Sequence, residues 1–432
     1  LARQPISLPR EFSDILNKIE RSNENFFITG RAGTGKSTLL QLIRNTTKKR
    51  TAVLAPTGVA ALNVKGQTIH SFFKFPPKIL NPSEIKKVRD HKMYKNIDTL
   101  IIDEVSMVRA DMIDNIDLFL RVNRGVDEFF GGVQVIFFGD LFQLPPVVAT
   151  PFEKEIFKNE YESPYFFSAS IFSYGFKVRL IELTKVYRQD EMEFIDLLDK
   201  IRLNQVEYED YELLNSRYLP LPEDASFFIT LCSINATANA LNLKNLNSLE
   251  GKPHIFKARV QGVFQQKVFP TDEHLVLKEG AQVMFVKNDP QKQFVNGTIG
   301  TIEKISSDHE VTVRIKDSNG QDKYITVEKQ EWEMLKYAKG ADDKIITEVL
   351  GTFTQLPLKL AWAITIHKSQ GKTFDNVIID LGYGAFEYGQ TYVALSRCRR
   401  LDGIYLKSPI KPKDIKTDDR VSEYYDMMKR YF

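Results

Sequence analysis

The stretch Gly30 to Ser37, GRAGTGKS, places three glycines, a lysine and a hydroxyl in an order that can wrap a polyphosphate. Gly30, Gly33 and Gly35 allow tight turns that aim backbone amides at phosphate oxygens, and a helix starting behind them adds its positive N-terminal end. Lys36 then reaches the β and γ phosphates, and Ser37 can ligate a magnesium ion. Farther along, TLIIDEVSM runs an apolar stretch into Asp103 and Glu104. Paired acids at a strand end divide the work of water-attacking phosphoryl transfer: Asp103 faces the metal and Glu104 the water. FFGDLFQLPPV brings Asp140 and Gln143 to the same kind of edge. A neutral amide at Gln143 can hold a γ-phosphate or its water without adding negative charge; an ordinary turn glutamine would read the same. Two arginines lie far away in sequence, Arg188 in LTKVYRQ and Arg397 in TYVALSRCRR. Set against a transferring phosphoryl group, an arginine accelerates transfer by about 10³–10⁵-fold; left alone, both are solvated surface residues.

These side chains need a scaffold, and the chain alternates in the right way to build one. NFFITG, TAVLAP, TLIIDE, VQVIFFGD and KVRLIELT read as buried parallel strands joined by crossovers. That pattern predicts an α/β sheet with helices on both faces. DMIDNIDLFL sets Met112, Ile116, Phe119 and Leu120 on one helical face, a core stripe. A second alternation follows, with SFFITLCSI, NVIIDL and GIYLKS as strands and ATANALNLKNLNSL and YVALSRC as helices. HLVLKEGAQVMFVKN, GTIGTIEKI and VTVRIKDSNGQDKYITV are short strands with turn chemistry, Asn319-Gly320 marking a hairpin. They predict a small β-barrel inserted in the second α/β unit. The expected boundaries are 1–185 for the first unit, 186–272 and 357–432 for the second, and 273–356 for the barrel. A small protrusion is expected at about 72–96, where paired prolines and mixed charge follow His70. If the second unit carries Arg188 and Arg397 to the phosphate loop, hydrolysis opens and closes a cleft, which is a mechanical cycle.

Composition sets wide bounds. The chain has 432 residues, 43% of them hydrophobic, enough for two to four domains with a large core. Cys232 and Cys398 stand far apart with no CxxC spacing, so neither a disulfide framework nor a zinc site is signalled, and a reducing compartment is expected. No apolar run approaches the ~20 residues of a membrane span, which predicts a soluble protein without a membrane partner. A net charge of +3 is too mild to announce a polyanion partner, so any nucleic-acid surface must be a local groove. Two segments could line one. APTGVAALNVKGQTIHSFF offers small and hydroxylic residues followed by His70, Phe72 and Phe73, and ITIHKSQGKTFD repeats the idea in the second half. Hydroxyls, amides and lysine hold phosphates without reading sequence, and aromatics stack on unstacked bases at ~1–3 kcal/mol each. Phe72 and Phe73 would equally serve as core.

The ordered set GRAGTGKS, APTGVAA, GQTIHSFF, IIDEVSM, GDLFQLPPV, LTKVYRQ, TIHKSQGKTFD and YVALSR resembles the helicase core of the Pif-one family of superfamily one, over nearly the whole chain. DEFFGGVQ resembles a stretch particular to that family, and VNGTIGTI the start of its Src-homology-like barrel. The resemblance implies two tandem RecA-like P-loop domains, a small inserted barrel and a wedge insertion after His70. It implies a motor using ATP and Mg2+ that moves 5′ to 3′ on single-stranded DNA and opens duplexes, RNA-DNA hybrids and G-quadruplexes. By motif match, Lys36, Ser37, Asp103, Glu104, Gln143, Arg188 and Arg397 take the nucleotide roles above, joined by Gly33, Thr34, Gly35, Thr38 and Gly371. Thr57, Thr68, His70, His367, Lys368 and Ser369 match positions that contact the strand, and Pro56, Phe72 and Phe73 are counted with them as DNA-binding candidates. One departure stands out: where the family places an adenine-reading glutamine, LPREF has Phe12, and Gln4 is the nearest substitute. The chain is expected to be a monomer in isolation, cytoplasmic and nucleoid-associated in a prokaryote, or nuclear or mitochondrial in a eukaryote. Starting at Leu1 without long extensions, the chain reads as a minimal prokaryotic or viral member, or a trimmed one. A RecD-like subunit of a larger assembly, a small-molecule kinase and a non-enzymatic DNA-binding module are the alternatives.

Overall fold

The computed structural model describes residues 9–431 apart from 190, 224, 318 and 341–343. The apolar runs of the first half become β1 (Phe26–Gly30), β2 (Thr51–Ala55), β3 (Gln67–Thr68), β4 (Thr99–Ile102), β5 (Gln134–Phe138) and β6 (Arg179–Leu183). They lie parallel in the order β3-β2-β4-β5-β1-β6. Every residue of β1 and β5 is buried, as helices on both faces demand. Alternate residues serve opposite faces. Phe26 and Ile28 pack with Phe12, Ile15, Leu39 and Leu40 of the helices Arg10–Arg21 and Lys36–Thr46. On the other face Phe27 joins Met112, Ile116, Phe119 and Leu120 of the helix Ala110–Arg124.

The chain then forms β7 (Ile229–Cys232) and departs into an insert. The insert contains β8 (His254–Lys257), β9 (Arg259–Gly262), β10 (His274–Leu277), β11 (Gln282–Phe285), β12 (Ile299–Ile305), β13 (Glu310–Lys316), β14 (Asp322–Glu328), β15 (Gln330–Lys339), β16 (Ile345–Gln355) and β17 (Leu358–Leu360). It returns as β18 (Ala363–Thr365), β19 (Val377–Asp380) and β20 (Ile404–Leu406). β7 and the returning strands form a second parallel sheet, ordered β18-β7-β19-β20. Two doubly wound units thus stand in tandem, the RecA-like arrangement. Among the described residues no helix is long and apolar enough to cross a membrane.

The insert departs from the expected barrel. β14-β13-β12-β11-β17 make an antiparallel sheet, the ribbon β10-β8 packs on its core through Leu275, Leu277 and Phe256, and a long hairpin β15-β16 pairs with β9. Among the described residues no ladder joins β14 to β17, so hydrogen bonding leaves this sheet open. The insert also begins earlier and ends later than 273–356, because β8, β9 and β17 belong to it. The residues of β9 are all exposed and three of four in β8 are, so no apolar pattern announced them. The protrusion after His70 is also more firmly seated than its composition suggested. Met93, Tyr94 and Ile97 are buried, and the Tyr94 hydroxyl donates to the Phe72 carbonyl. Its exposed tip carries the 3₁₀ turn Pro82–Glu84.

Candidate active site

The phosphate loop connects β1 to the helix Lys36–Thr46. Gly33 and Gly35 both adopt φ +85°, and a Cβ on Gly33 would stand 2.5 Å from the Cβ of Arg188. Only glycine lets the second unit approach so closely. The Lys36 ammonium donates to the carbonyls of Gly30 and Arg31 at 2.6 and 2.9 Å. Burial pulls its pKa down to about 8 against the opposing pull of Asp140 and Glu104. Asp103 and Glu104 follow β4 directly, and Glu104 sits at φ +50°, a strained setting for a side chain and one found at functional sites. Burial, then the neighbouring Glu104, push Asp103 up to about 7; burial also raises Glu104.

The two units share one cavity of about 370 Å³. From the first unit, Gly33, Thr34, Gly35, Lys36, Ser37, Thr38, Asp103, Glu104 and Gln143 line it. From the second come Arg188, Gly371 and Arg397. The residues assigned nucleotide roles by motif match are therefore in one place; Asp140, expected at the same edge, is buried behind the cavity instead of lining it, Gly30 precedes the lining residues, and Gln4 lies outside the described residues. Arg188 Nη1 donates to the Ser396 carbonyl at 3.2 Å. Arg397 is 1% exposed and donates to the carbonyls of Val393 and Ser369 and to the Ser396 hydroxyl. Burial lowers the pKa of both, and Arg397 adds to the effect on Arg188. Phe12 is 3% exposed and packs beneath Gly35, so it supports the loop instead of facing a base.

Sequence reasoning missed the joint behind the cavity. Asp140 is 1% exposed and collects Gln143 Nε2 at 3.2 Å, Arg202 Nη2 at 3.3 Å and the Tyr392 hydroxyl at 3.2 Å. Tyr392 in turn accepts the Ala32 amide of the phosphate loop at 2.9 Å. Burial pushes the Asp140 carboxyl up, but Arg202 and Lys36 outweigh it and hold the carboxylate below its usual range. Arg202 also lies over the Phe142 ring at 4.1 Å. The available signal was an arginine adjoining the apolar face Phe194, Leu197, Leu198 and Ile201 of the helix Met192–Arg202. Tyr187, whose ring is partly exposed beside the phosphate loop, was likewise not singled out.

The strand-facing candidates divide. Pro56, Thr57 and His70 line a second cavity of about 290 Å³ with Met107, Arg109 and Glu153. Thr57 and Thr68 cap short helices, accepting the amides of Ala60 and Ser71 at 3.2 Å, which fixes the direction of their hydroxyls. Burial, then Arg109 and Lys267, lower the His70 pKa, and burial lowers that of His367. His367 is half-buried and Lys368 exposed, just past β18. Phe72 and Phe73 are a correction: they are 3% and 1% exposed and pack against Tyr94 and Phe119 in the core. Ser369 is another, fully buried with its hydroxyl donating to the Ile366 carbonyl at 2.6 Å. Two residues farther on, Gly371 already borders the nucleotide cavity. One short segment thus runs from the surface to the cavity at the phosphate loop.

A phosphate loop facing arginines from a second RecA-like unit defines the class of two-domain helicase folds. Residues 8–212 match the family described as PIF1-like helicase, and residues 360–401 the UvrD-like helicase C-terminal domain. The chain is 34% identical over 98% of its length to the ATP-dependent DNA helicase PIF1 of Xenopus laevis, and 33% over 98% to that of Homo sapiens. It spans 65% and 64% of those relatives. Among solved structures, Bacteroides sp Pif1 in complex with ADP-AlF4 is similar at TM-score 0.91 and 37% identity, covering 99% of this chain and 98% of that one. Bacteroides Pif1 bound to ssDNA gives 0.71 at 38% identity, covering 99% and 98%. The chain belongs to the PIF1-like helicase family.

Proposed function

We propose that this chain is an ATP-driven DNA helicase that draws a single strand across both units. The observation that carries this reading is the shared cavity, in which Lys36, Asp103, Glu104 and Gln143 face Arg188 and Arg397 from the other unit. In hydrolysis, water attacks the γ-phosphorus, the bond to the ADP oxygen breaks, and Glu104 accepts the proton of the water. Lys36 and the loop amides hold the phosphates; Arg188 and Arg397 meet the charge that develops on the transferring group. Asp140 fixes the amide of Gln143, so the contact to the γ-phosphate is tied through Arg202 and Tyr392 to the second unit. Ser37 and Asp103 suit magnesium: a hydroxyl at a helix start shares the cavity with a carboxylate whose burial and neighbour favour a cation beside it. The ion would shield the phosphate charge.

The relative bound to ssDNA, together with Thr57, His70, His367 and Lys368, supports a track for one strand. Translocation from 5′ to 3′ and action on RNA-DNA hybrids and G-quadruplexes follow the family resemblance; a monomeric state and a place in the cytoplasm at the nucleoid, or in the nucleus or mitochondrion, belong to the same reading. ATP hydrolysis is expected to rise steeply when single-stranded DNA is added, and 5′-tailed duplexes to open in preference to 3′-tailed ones. Arg188→Ala and Arg397→Ala should each lower turnover by about 10³-fold or more while ATP still binds. An ATPase rate indifferent to DNA would end the proposal; equal loss of binding and turnover would remove the arginines from the phosphoryl group.

A further inference from the structure

The second sheet carries a crevice that the nucleotide machinery does not use. From β7 the chain crosses to β18 on one side and later returns to β19 on the other. The gap beyond the carboxyl ends of β7 and β19 is thus a point where strand order reverses, the place where open α/β sheets hold ligands. A cavity of about 620 Å³ opens there. Tyr383 and Phe386 on its rim are 105% and 55% exposed, and Lys407, Lys413 and Lys416 also line it.

Charge in this crevice is unbalanced. Asp380 is taken by Lys407 at 2.6 Å and by the Gly382 amide. Asp414 accepts the amides of Ala385 and Lys411. Among the described residues Lys413 donates to the Tyr383 carbonyl alone, at 3.5 Å, and neither Lys413 nor Lys416 has a carboxylate within ion-pair distance. Glu387 feels Lys416 at longer range. The Ser233 hydroxyl in this cavity is buried without a hydrogen-bond partner among the described residues. Exposed aromatic faces beside uncommitted ammonium groups are the two elements that bind single-stranded nucleic acid without reading its sequence.

Position favours the same ligand. β18, β7 and β19 are parallel neighbours, so the residues after each emerge on one edge, about 5 Å apart per strand. A strand leaving His367 and Lys368 beyond β18 meets Ser233 beyond β7 and then Tyr383 beyond β19. We propose that this crevice holds a further stretch of the DNA strand, with phosphates on Lys413 and Lys416 and an unstacked base against Tyr383 or Phe386. The proposal rests on the strand reading of His367 and Lys368 above.

The test is binding of oligothymidylates of increasing length to the full chain, followed by fluorescence anisotropy. For Tyr383→Ala/Phe386→Ala, the shortest strands should bind as they do to the parent chain, while long strands bind roughly tenfold or more weakly. Lys413→Gln/Lys416→Gln should show the same length dependence and a salt slope shallower by about 0.7 for each lysine. Unchanged affinity at every length, or equal loss at every length, would overturn the proposal. So would thymidine monophosphate binding to the crevice that long strands fail to displace. The track itself is judged separately: if His367→Ala/Lys368→Ala leaves the shortest strands bound as before, the strand reading falls.

Discussion

Asp140 shows what a single residue does here and why it was hard to foresee. Its role depends on partners 62 and 252 positions away in sequence, Arg202 and Tyr392. The phosphate loop and the acids after β4 were legible because their partners sit at fixed local spacing; a buried ion pair between distant helices and strands leaves no such spacing. Breaking a buried pair exposes the cost of an unpaired charge, about 3–5 kcal/mol, whereas replacing both partners removes most of it. Arg202→Met is therefore expected to destabilise the chain by that amount, and Asp140→Asn combined with Arg202→Met by clearly less, read from urea unfolding. Equal destabilisation in the single and double variants would mean that Asp140 gains nothing from Arg202. Phe72 and Phe73 make the converse point. Their types fitted base stacking and their burial decided otherwise, since both rings are buried in edge contacts with Tyr94 and Phe119.

Elements were read well where burial imposed a period and poorly where it did not. The parallel strands and the helix Ala110–Arg124 announced themselves through apolar runs; β8 and β9 are mostly exposed and carried no such pattern. The helix Pro151–Glu160 links local chemistry to the second cavity, beside His70. Thr150 accepts the Glu153 amide at 3.1 Å, and Glu153 returns to the Thr150 amide at 2.9 Å, a closed capping box. Glu153 also holds Arg109 at 2.7 Å on the wall of that cavity. Thr150→Ala should cost about 1 kcal/mol of stability and loosen Arg109. The Thr150 amide, then Arg109, depress the Glu153 pKa to about 2. Because the folded value lies below the unfolded one of about 4.3, Glu153 adds stability above that pH and loses it as pH falls towards 2. Glu153→Gln should flatten the acid side of a stability profile between those limits; an unaltered profile would show that the cap carries no charge-dependent stabilisation.

For the molecule as a whole, the question is how the insert sits on the first unit. The hairpin β15-β16 reaches the edge of the first sheet, where the Tyr337 hydroxyl accepts the Val53 amide at 3.0 Å and the Tyr337 amide donates to Gln67 at 3.2 Å. β3 pairs only with Leu54 and Ala55, which leaves the Val53 amide to the hairpin. Both bonds exist only while the hairpin is docked on the first unit. Removing the hydroxyl therefore raises the energy of the docked state alone and shifts the population towards an undocked one. A buried amide left without a partner costs about 1–3 kcal/mol, so Tyr337→Phe should raise the undocked population by roughly 5-fold or more. The measurement is the distance between the hairpin tip and the first unit by fluorescence transfer, in the parent chain and the variant. An unchanged distance distribution would show that the Tyr337 hydroxyl does not hold the hairpin down.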